Sequence, residues 1–245
     1  MTPRYALVTG ASRGIGAAIA RRLAAEGYAL TITARHETAL RAVAAQVAGA
    51  GAAVHRVTGD MALEDDVRRV ASEHLERFPA LHVLVLNAGM AVAGELASYP
   101  LRRLDQMLAI NLRAPFALVQ ACLPALREAA LADPDRGAKV VAIASMSGVV
   151  SERQLAAYGA TKAALISLCQ SISVEESRHG VSATAISPGY VDTDMGAWAS
   201  DRIDPSAMLD VADVAEMAVA VTRLSARAVV PHLVLARAGE SLWRA

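Results

Sequence analysis

The sequence predicts an α/β protein in which a doubly wound parallel sheet of about seven strands carries helices on both faces. Short apolar runs alternate with longer helical patterns along the whole chain. The apolar runs are continuous rather than alternating in polarity, which is typical of strands buried on both faces of a parallel sheet. No linker, repeat or low-complexity stretch divides the 245 residues. A single domain (1–245) wound from right-handed βαβ units is therefore expected.

The strands are predicted from apolar runs that stop at glycine, proline or polar residues. The predicted strands span 5–9, 29–34, 53–57, 81–86, 139–144, 181–186 and 228–235. Pro231 lies in the last of them and indicates a sheet edge, because proline cannot donate a hydrogen bond to a neighbouring strand.

The helices are predicted from apolar residues spaced three and four apart between these strands. The first follows a turn at 10–16 and ends at Gly27, and the others span 36–48, 64–77, 101–130, 155–178 and 209–223. Pro115 and Pro124 are expected to interrupt the long stretch, because proline removes a backbone donor.

The composition indicates a large core and no electrostatic partner. Hydrophobic residues make up 54% of the chain, and Lys+Arg and Asp+Glu balance at 24 each. Nothing therefore predicts binding to nucleic acid or to an anionic membrane. Cys122 and Cys169 are predicted to be buried free thiols, which fits a reducing cytoplasm. Six scattered histidines lack metal-ligand spacing, so no metal site is expected.

No targeting or membrane segment is expected. Residues 1–4 lead directly into the first predicted strand, without the pattern of a signal peptide. No apolar run approaches the ~18 residues that a membrane span requires. We therefore expect a soluble cytoplasmic protein.

The first candidate for chemistry is the pair Tyr158 and Lys162. They lie four residues apart on a predicted helix and so share one face. An isolated tyrosine titrates near ~10, and a nearby ammonium is expected to lower that pKa and make the phenol a usable general acid or base. Ser145 offers a hydroxyl to hold a carbonyl oxygen beside it. On spacing alone, a solvated helix face is the commoner explanation of such a pair.

The second candidate is the glycine-bearing turn between the first strand and the first helix. Gly10, Gly14 and Gly16 follow the spacing G-x-x-x-G-x-G rather than the usual G-x-G-x-x-G. Glycines there allow a tight turn and let backbone amides approach a pyrophosphate at a helix N-terminus. Such turns also occur without a ligand, so this one alone leaves dinucleotide binding open.

Six motifs, in order along the chain, together resemble the short-chain dehydrogenase/reductase family in its compact single-domain form. The motifs are Thr9-Gly-Ala-Ser-Arg-Gly-Ile-Gly16, Asn87-Ala-Gly89, Asn111, Ser145, Tyr158-x-x-x-Lys162 and Pro188-Gly189. The resemblance covers essentially the whole chain, and Ser145 stands thirteen residues before Tyr158, as is usual in the family. It implies an NAD(P)-binding Rossmann fold and is strongest to 3-oxoacyl-carrier-protein reductases.

The resemblance implies a set of catalytic roles at the carboxyl ends of the strands. Tyr158 would protonate a carbonyl oxygen, or deprotonate an alcohol in the reverse direction, while Ser145 would hydrogen-bond that oxygen. Lys162 would hold the nicotinamide ribose, and Asn111 would support a water relay toward Lys162. Ser147 is the alternative to Ser145 and is expected to be structural.

The resemblance also implies a set of cofactor-binding residues. They are Gly10, Ser12, Arg13, Gly14, Ile15, Gly16, Arg35, Asp60, Met61, Asn87, Ala88, Gly89, Tyr158, Lys162, Pro188, Gly189, Val191 and Thr193. Asp60 would lie against adenine, and it also has a second explanation as a loop carboxylate that caps the following helix. Thr193 would bond the nicotinamide carboxamide.

The end of the second strand predicts which nicotinamide cofactor binds. NAD-binding proteins of this fold carry an acid there, about 20 residues past the glycines, for the ribose 2′-hydroxyl. Here Ala34 and Arg35 occupy that place. No carboxylate repels a 2′-phosphate, and Arg35 with Arg13 would clamp one, so NADP(H) is predicted over NAD(H). Two exposed arginines without a ligand are the alternative.

The segment 190–208 is where relatives build a substrate lid. Its large apolar members are Tyr190, Met195, Trp198 and Met208. They favour an apolar small-molecule substrate, although they would equally serve as ordinary packing. The tail 235–245 lacks the Asp-Gly-Gly ending of many relatives, and Trp243 is a candidate for a subunit contact in a homo-oligomer, a dimer or tetramer.

The sequence therefore predicts an NADP(H)-dependent oxidoreductase that interconverts a ketone or aldehyde, a 3-oxoacyl thioester among them, with the alcohol. The alternative is a protein that senses NADP(H) on the same fold without turnover. The intact set of Asn111, Ser145, Tyr158 and Lys162 favours catalysis.

Overall fold

The architecture is a seven-stranded parallel sheet. The computed structural model describes residues 3–196 and 203–239. The strands are β1 (Arg4–Thr9), β2 (Tyr28–Ala34), β3 (Val54–Thr58), β4 (Val83–Leu86), β5 (Ala138–Ile143), β6 (Val181–Pro188) and β7 (His232–Leu235). Their order is β3-β2-β1-β4-β5-β6-β7, and all neighbouring pairs are parallel. The strand order reverses between β1 and β4, which opens a crevice at their carboxyl ends.

The helices connect the strands, as parallel pairing requires. They are α1 (Gly14–Ala25), α2 (Glu37–Gly49), α3 (Glu64–Arg77), α4 (Leu101–Leu108), α5 (Ala114–Ala132), α6 (Ala156–Glu176) and α7 (Val211–Thr222). One face of the sheet is covered by α1, α2 and α7, and the other by α3, α5 and α6. The predicted fold class, a doubly wound sheet with helices on both faces, is confirmed.

Successive residues of a central strand contribute to the two cores in turn. In β4, Val83 and Val85 pack in the core beneath α1, whereas Leu84 and Leu86 pack in the core beneath α5. All four side chains are buried, and each such burial contributes about 1.5–3 kcal/mol. This two-sided burial is the reason that the strands appear as continuous apolar runs in the sequence.

The expectation that Pro115 and Pro124 interrupt the long helical stretch is wrong. The chain runs from α4 through a π-helical turn, Ala109–Arg113, into α5 without a break. Pro115 lies in the first turn of α5, where its fixed φ suits the helix, and Pro124 lies inside α5. The irregularity falls instead on the π turn that contains Asn111, and such turns are frequent at functional sites.

The same stretch also corrects the expectation that no apolar run approaches the length of a membrane span. By length and composition alone, the 32 residues Leu101–Ala132 are long and apolar enough to cross a bilayer. In the fold, however, Leu118, Cys122 and Leu126 of this stretch are buried in the core against the sheet. Its apolar character is therefore that of a core helix.

Two smaller predictions agree with the structure. β7 lies at the sheet edge, and Pro231 immediately precedes it, with its carbonyl accepting from Ala185 N at 3.1 Å. Cys122 and Cys169 are buried free thiols, and burial raises the pKa of each to about 12. Both thiols therefore stay protonated at neutral pH.

Two histidines are buried at the amino-terminal side of the sheet and are held neutral. His74 contacts Thr31 Oγ1 through Nδ1 (2.8 Å) and the Ala80 carbonyl through Nε2 (3.3 Å). His82 Nδ1 accepts a hydrogen bond from Tyr5 N at 3.1 Å, so protonation of that nitrogen would place two donors against each other. Burial lowers the pKa of both imidazoles to about 4.

These histidines predict a loss of stability in mild acid. The unfolded chain binds protons on them below pH ~6.5, whereas the folded chain does so only near pH 4, so the free energy of unfolding falls as the pH drops between those values. At pH 5 the loss is about 2 kcal/mol per histidine. Urea unfolding at pH 7 and pH 5 measures it, and His74→Gln should remove about half of the difference. The same pH dependence in wild type and His74→Gln would contradict this.

Candidate active site

The turn between β1 and α1 presents free backbone amides at a helix N-terminus. Gly10 and Gly14 have φ of +64° and +53°, which L side chains rarely adopt. A side chain at Gly16 would collide with the Asn87 amide and the Gly10 carbonyl. The first turn of α1 has no side-chain cap and no acidic residue. Its unpaired N–H groups and helix dipole therefore suit an anionic ligand.

The ends of β1 and β4 are fixed to each other through Thr9 and Asn87. The Thr9 hydroxyl donates to the Val85 carbonyl (3.1 Å) and accepts from Asn87 N and Ala88 N, both at 3.0 Å. The Asn87 side-chain amide donates to the carbonyls of Thr9 and Gly10, both at 3.0 Å. These bonds set the shape of the crevice where the strand order reverses.

Asn111 lies beneath the crevice and joins three elements. Its side chain is completely buried. Oδ1 accepts from Met90 N (2.8 Å), and Nδ2 donates to the Met90 carbonyl (2.8 Å) and to Thr161 Oγ1 (2.9 Å). The Thr161 hydroxyl in turn donates to the carbonyl of Tyr158 at 2.8 Å. The π turn is thus connected to the loop after β4 and to the first turns of α6.

Tyr158 and Lys162 share one face of α6 at the carboxyl end of β5. Lys162 Nζ lies 5.8 Å from the centroid of the Tyr158 ring and donates to the Ile143 carbonyl at 2.7 Å. Ser145, two residues past β5, lies close enough to the Tyr158 hydroxyl to lower its pKa, and the Ser145 hydroxyl accepts from Ser147 N at 3.2 Å. The serine, the phenol and the ammonium therefore lie side by side.

The pKa of Tyr158 moves in the opposite direction to the one expected from the sequence. Burial raises it to about 12, against a smaller lowering by the hydrogen bond from Ser145. Burial also lowers the pKa of Lys162 to about 8. The expectation was wrong because it counted the charge of the ammonium and not the desolvation of both groups, which dominates here.

A cavity of about 920 Å³ joins the helix N-terminus to the phenol. Of the predicted site residues, its walls contain Gly10, Ser12, Arg13, Gly14, Ile15, Arg35, Asp60, Met61, Asn87, Ala88, Gly89, Ser145, Tyr158, Lys162, Pro188, Gly189, Val191 and Thr193. The two predicted residues outside the walls are Gly16, which packs under the turn, and Asn111. Ser147 also lines the cavity. The volume suits a ligand of dinucleotide size.

At the far end of the cavity from Tyr158, Asp60 forms local bonds. Its Oδ1 accepts from Ala62 N at 2.9 Å, and its own backbone N–H donates to Asp66 Oδ2 at 2.8 Å. Asp60 therefore orders the turn before α3, but it does not cap that helix, whose N-cap residue is Leu63 and has no side-chain cap. The residue also lines the cavity. Arg35 follows β2 and is exposed.

Sequence reasoning missed three contributors to this site. Thr9 and Thr161 carry hydroxyls that bond only to the protein, and their type and spacing gave no sign of the partners. Asp194 forms an ion pair with Arg13 at 2.6 Å across the cavity mouth. That contact joins segments 181 residues apart, so local sequence could not indicate it. Two lid and tail candidates, Trp198 and Trp243, lie outside the described residues.

No cluster of three or more metal-ligating side chains occurs within residues 3–196 and 203–239.

One cavity of this α/β protein is lined by the N-terminus of α1 and by Tyr158 and Lys162. This combination is typical of nucleotide-binding oxidoreductases. A family model described as short chain dehydrogenase matches residues 4–203 of the chain. The chain belongs to the short-chain dehydrogenase family, and it is an oxidoreductase of that family.

Two oxidoreductases are identical to this chain at about a third of the aligned positions. An uncharacterized oxidoreductase of Staphylococcus epidermidis is 32% identical over 192 residues, which cover 78% of this chain and 80% of the relative. The 3-oxoacyl-[acyl-carrier-protein] reductase MabA of Mycobacterium avium is 35% identical over 205 residues, covering 84% and 74%.

A solved structure shares the fold over nearly the whole length. It is the alcohol dehydrogenase of the archaeon Thermococcus sibiricus, complexed with 5-hydroxy-NADP. The TM-score is 0.86 at 27% identity, and the match covers 95% of this chain and 96% of that one. The fold of this chain is therefore that of short-chain dehydrogenases.

Proposed function

We propose that this protein, as a single dinucleotide-binding domain (1–245), uses NADP(H) to interconvert a carbonyl compound and its alcohol. One observation carries the proposal: Tyr158, Ser145 and Lys162 line the same cavity as the uncapped N-terminus of α1. The first feature supplies a proton donor, and the second supplies an anion site for a pyrophosphate.

The residues present fit a nicotinamide dinucleotide. The first turn of α1 offers backbone donors without a competing acid, and Gly89 leaves its backbone open beside Lys162 and Asn111. Lys162 would hold the nicotinamide ribose and Thr193 the carboxamide. When bound, the dinucleotide supplies the hydride, and the protein supplies position and proton.

In the reduction direction, Tyr158 acts as the general acid. With a pKa raised to about 12, its hydroxyl stays protonated at neutral pH and is available to a carbonyl oxygen. Ser145, which lines the same cavity, would hold that oxygen in reach. The nearby Lys162 ammonium would stabilise the phenolate that remains after proton transfer. Asn111 donates a hydrogen bond to Thr161 and so helps to position α6. The water relay through Asn111 stays a prediction.

The charge around the adenosine end favours NADP(H) over NAD(H). Arg35 follows β2 directly, where an acid would select the ribose 2′-hydroxyl, and Arg13 lines the same cavity. Both are exposed and cationic, which suits a 2′-phosphate. The complex of the related alcohol dehydrogenase with 5-hydroxy-NADP supports this assignment.

The wall near Tyr158 favours an apolar small molecule as substrate. Besides Tyr158, that wall contains Met90, Leu155, Tyr190 and Met195. A ketone, an aldehyde or a 3-oxoacyl group suits these side chains.

The cytoplasmic location and the homo-oligomeric state, dimer or tetramer, stay predictions.

A second candidate function is a sensor that binds NADP(H) without turnover. It would need the cavity and the arginines but not a proton donor. The cavity nevertheless brings Tyr158, Ser145 and Lys162 together, which favours catalysis.

Replacing Tyr158 tests the catalytic role. Tyr158→Phe should lower turnover by at least ~10²-fold, because it removes the positioned acid, while NADPH binding persists. A panel of ketones, aldehydes, quinones and acyl thioesters, followed by NADPH absorbance, provides the assay. Tyr28→Phe removes the same atom from a buried tyrosine of β2 outside the cavity and is the control. Turnover close to wild type in Tyr158→Phe would reject the role, and no turnover with any substrate would favour the sensor.

Replacing Arg35 tests the choice of cofactor. Arg35→Ala should weaken NADPH binding about tenfold or more through loss of charge-assisted bonds and leave NADH binding nearly unchanged. Arg41→Ala removes an exposed arginine of α2 that is paired with Glu37 and is the control. Dissociation constants are measured by fluorescence titration. Equal affinities of wild type for the two cofactors, or equal weakening of both by Arg35→Ala, would contradict the assignment.

A further inference from the structure

One arginine of the cofactor cavity is engaged by a carboxylate from the opposite wall. Arg13 Nη1 donates to Asp194 Oδ2 at 2.6 Å. Arg13 is the residue just before α1, and Asp194 lies in the loop after β6. Both side chains are largely exposed, at 74% and 70%, and both line the cavity. The pair therefore spans the cavity mouth.

Asp194 is held in place by an ordered turn. The Gly196 N–H donates to the Thr193 carbonyl at 2.8 Å and to the Thr193 hydroxyl at 3.2 Å, and a side chain at Gly196 would collide with the Val191 carbonyl. Further back along the loop, Asp192 N donates to the Leu209 carbonyl at 3.0 Å.

The same turn lies directly on the phosphate loop. A side chain at Gly14 would come within 3.3 Å of Thr193 Cγ2. The backbone contacts of the residues around Asp194 thus hold its carboxylate near the N-terminus of α1. There the carboxylate pairs with Arg13.

The Asp194 carboxylate opposes the binding of another anion, such as a 2′-phosphate, to Arg13. Arg13 has five N–H donors, and one of them already serves Asp194. A 2′-phosphate that approaches Arg13 would compete for the guanidinium and would meet the charge of Asp194. NAD(H), which lacks that phosphate, would not experience this opposition. Two other acids line the cavity. Asp60 is already bonded to Ala62 N, and Asp192 lies two residues before Asp194 on the same loop.

We infer that Asp194 is a specificity-determining residue, which engages Arg13 and so reduces the preference for NADP(H) over NAD(H). The inference rests on the proposed function in that it takes the ligand to be a nicotinamide dinucleotide. Asp194 acts through Arg13 and has no part in proton or hydride transfer.

The size of the effect follows from the exposure of the pair. An exposed ion pair changes an equilibrium by about threefold to fivefold at most. Asp194→Asn should therefore tighten NADPH binding by about threefold to fivefold and leave NADH binding unchanged. Because exposed charges are screened over about 8 Å at physiological ionic strength, the gain should shrink as salt is added.

The experiment measures dissociation constants for the full chain by fluorescence titration and calorimetry, without any turnover. The ligands are NADPH, NADH and the fragments 2′,5′-ADP and 5′-AMP, which differ only in the 2′-phosphate. Asp194→Asn should tighten NADPH and 2′,5′-ADP alone. Asp192→Asn, which removes an equal charge two residues away on the same loop, should leave the ratio of the two affinities unchanged. In an Arg13→Gln background, Asp194→Asn should have no effect.

Three results would overturn the inference. Equal tightening of NADPH and NADH would mean that the substitution opens the loop. Weaker NADPH binding would mean that Asp194 orients Arg13 toward the phosphate. An unchanged ratio in Asp194→Asn, or the same change in Asp192→Asn, would exclude a role for this ion pair. A wild type that binds NADPH and NADH equally well would contradict the proposed cofactor instead. The change in the ratio of the two affinities on Asp194→Asn is a separate result and tests the inference on its own.

Discussion

The site depends on one buried amide. Asn111 is wholly enclosed, and the polar atoms of its side chain are all bonded to protein, to Met90 on the loop after β4 and to Thr161 on α6. An unsatisfied amide at this depth would be costly, so the three elements are held in one arrangement. The π turn contains this buried side chain, and its bond to Thr161 connects the turn to α6, which carries the phenol and the ammonium. The position of the chemistry is thus a consequence of hydrogen bonding in the core.

Desolvation decides the charge states in the cavity. Burial keeps the phenol of Tyr158 protonated at neutral pH and brings the pKa of Lys162 down to about 8. A phenol in this state is suited to giving a proton to a carbonyl oxygen, whereas the reverse direction needs a base that desolvation opposes. The Lys162 ammonium donates to the Ile143 carbonyl. Its charge would stabilise the phenolate that proton transfer leaves on Tyr158.

The fold and most of the site could be predicted because their signals are local. Continuous apolar runs and their alternation with helices fixed the sheet, and the glycine turn, Ser145 and the pair on α6 are short-range patterns. The prediction from the prolines was wrong because helix packing on the sheet overrides a single lost donor. The pKa of Tyr158 and the pair between Arg13 and Asp194 depend on burial and on distant contacts. No local pattern encodes either of them.

The central claim is that the uncapped N-terminus of α1 and the buried phenol of Tyr158 serve one bound dinucleotide. A crystal structure of the protein soaked with NADPH tests it most directly. The account predicts the pyrophosphate on the Gly10–Gly14 turn and the nicotinamide ring beside the hydroxyl of Tyr158, with its ribose against Lys162. A nicotinamide ring bound away from Tyr158, or no dinucleotide in the cavity at saturating concentration, would contradict it.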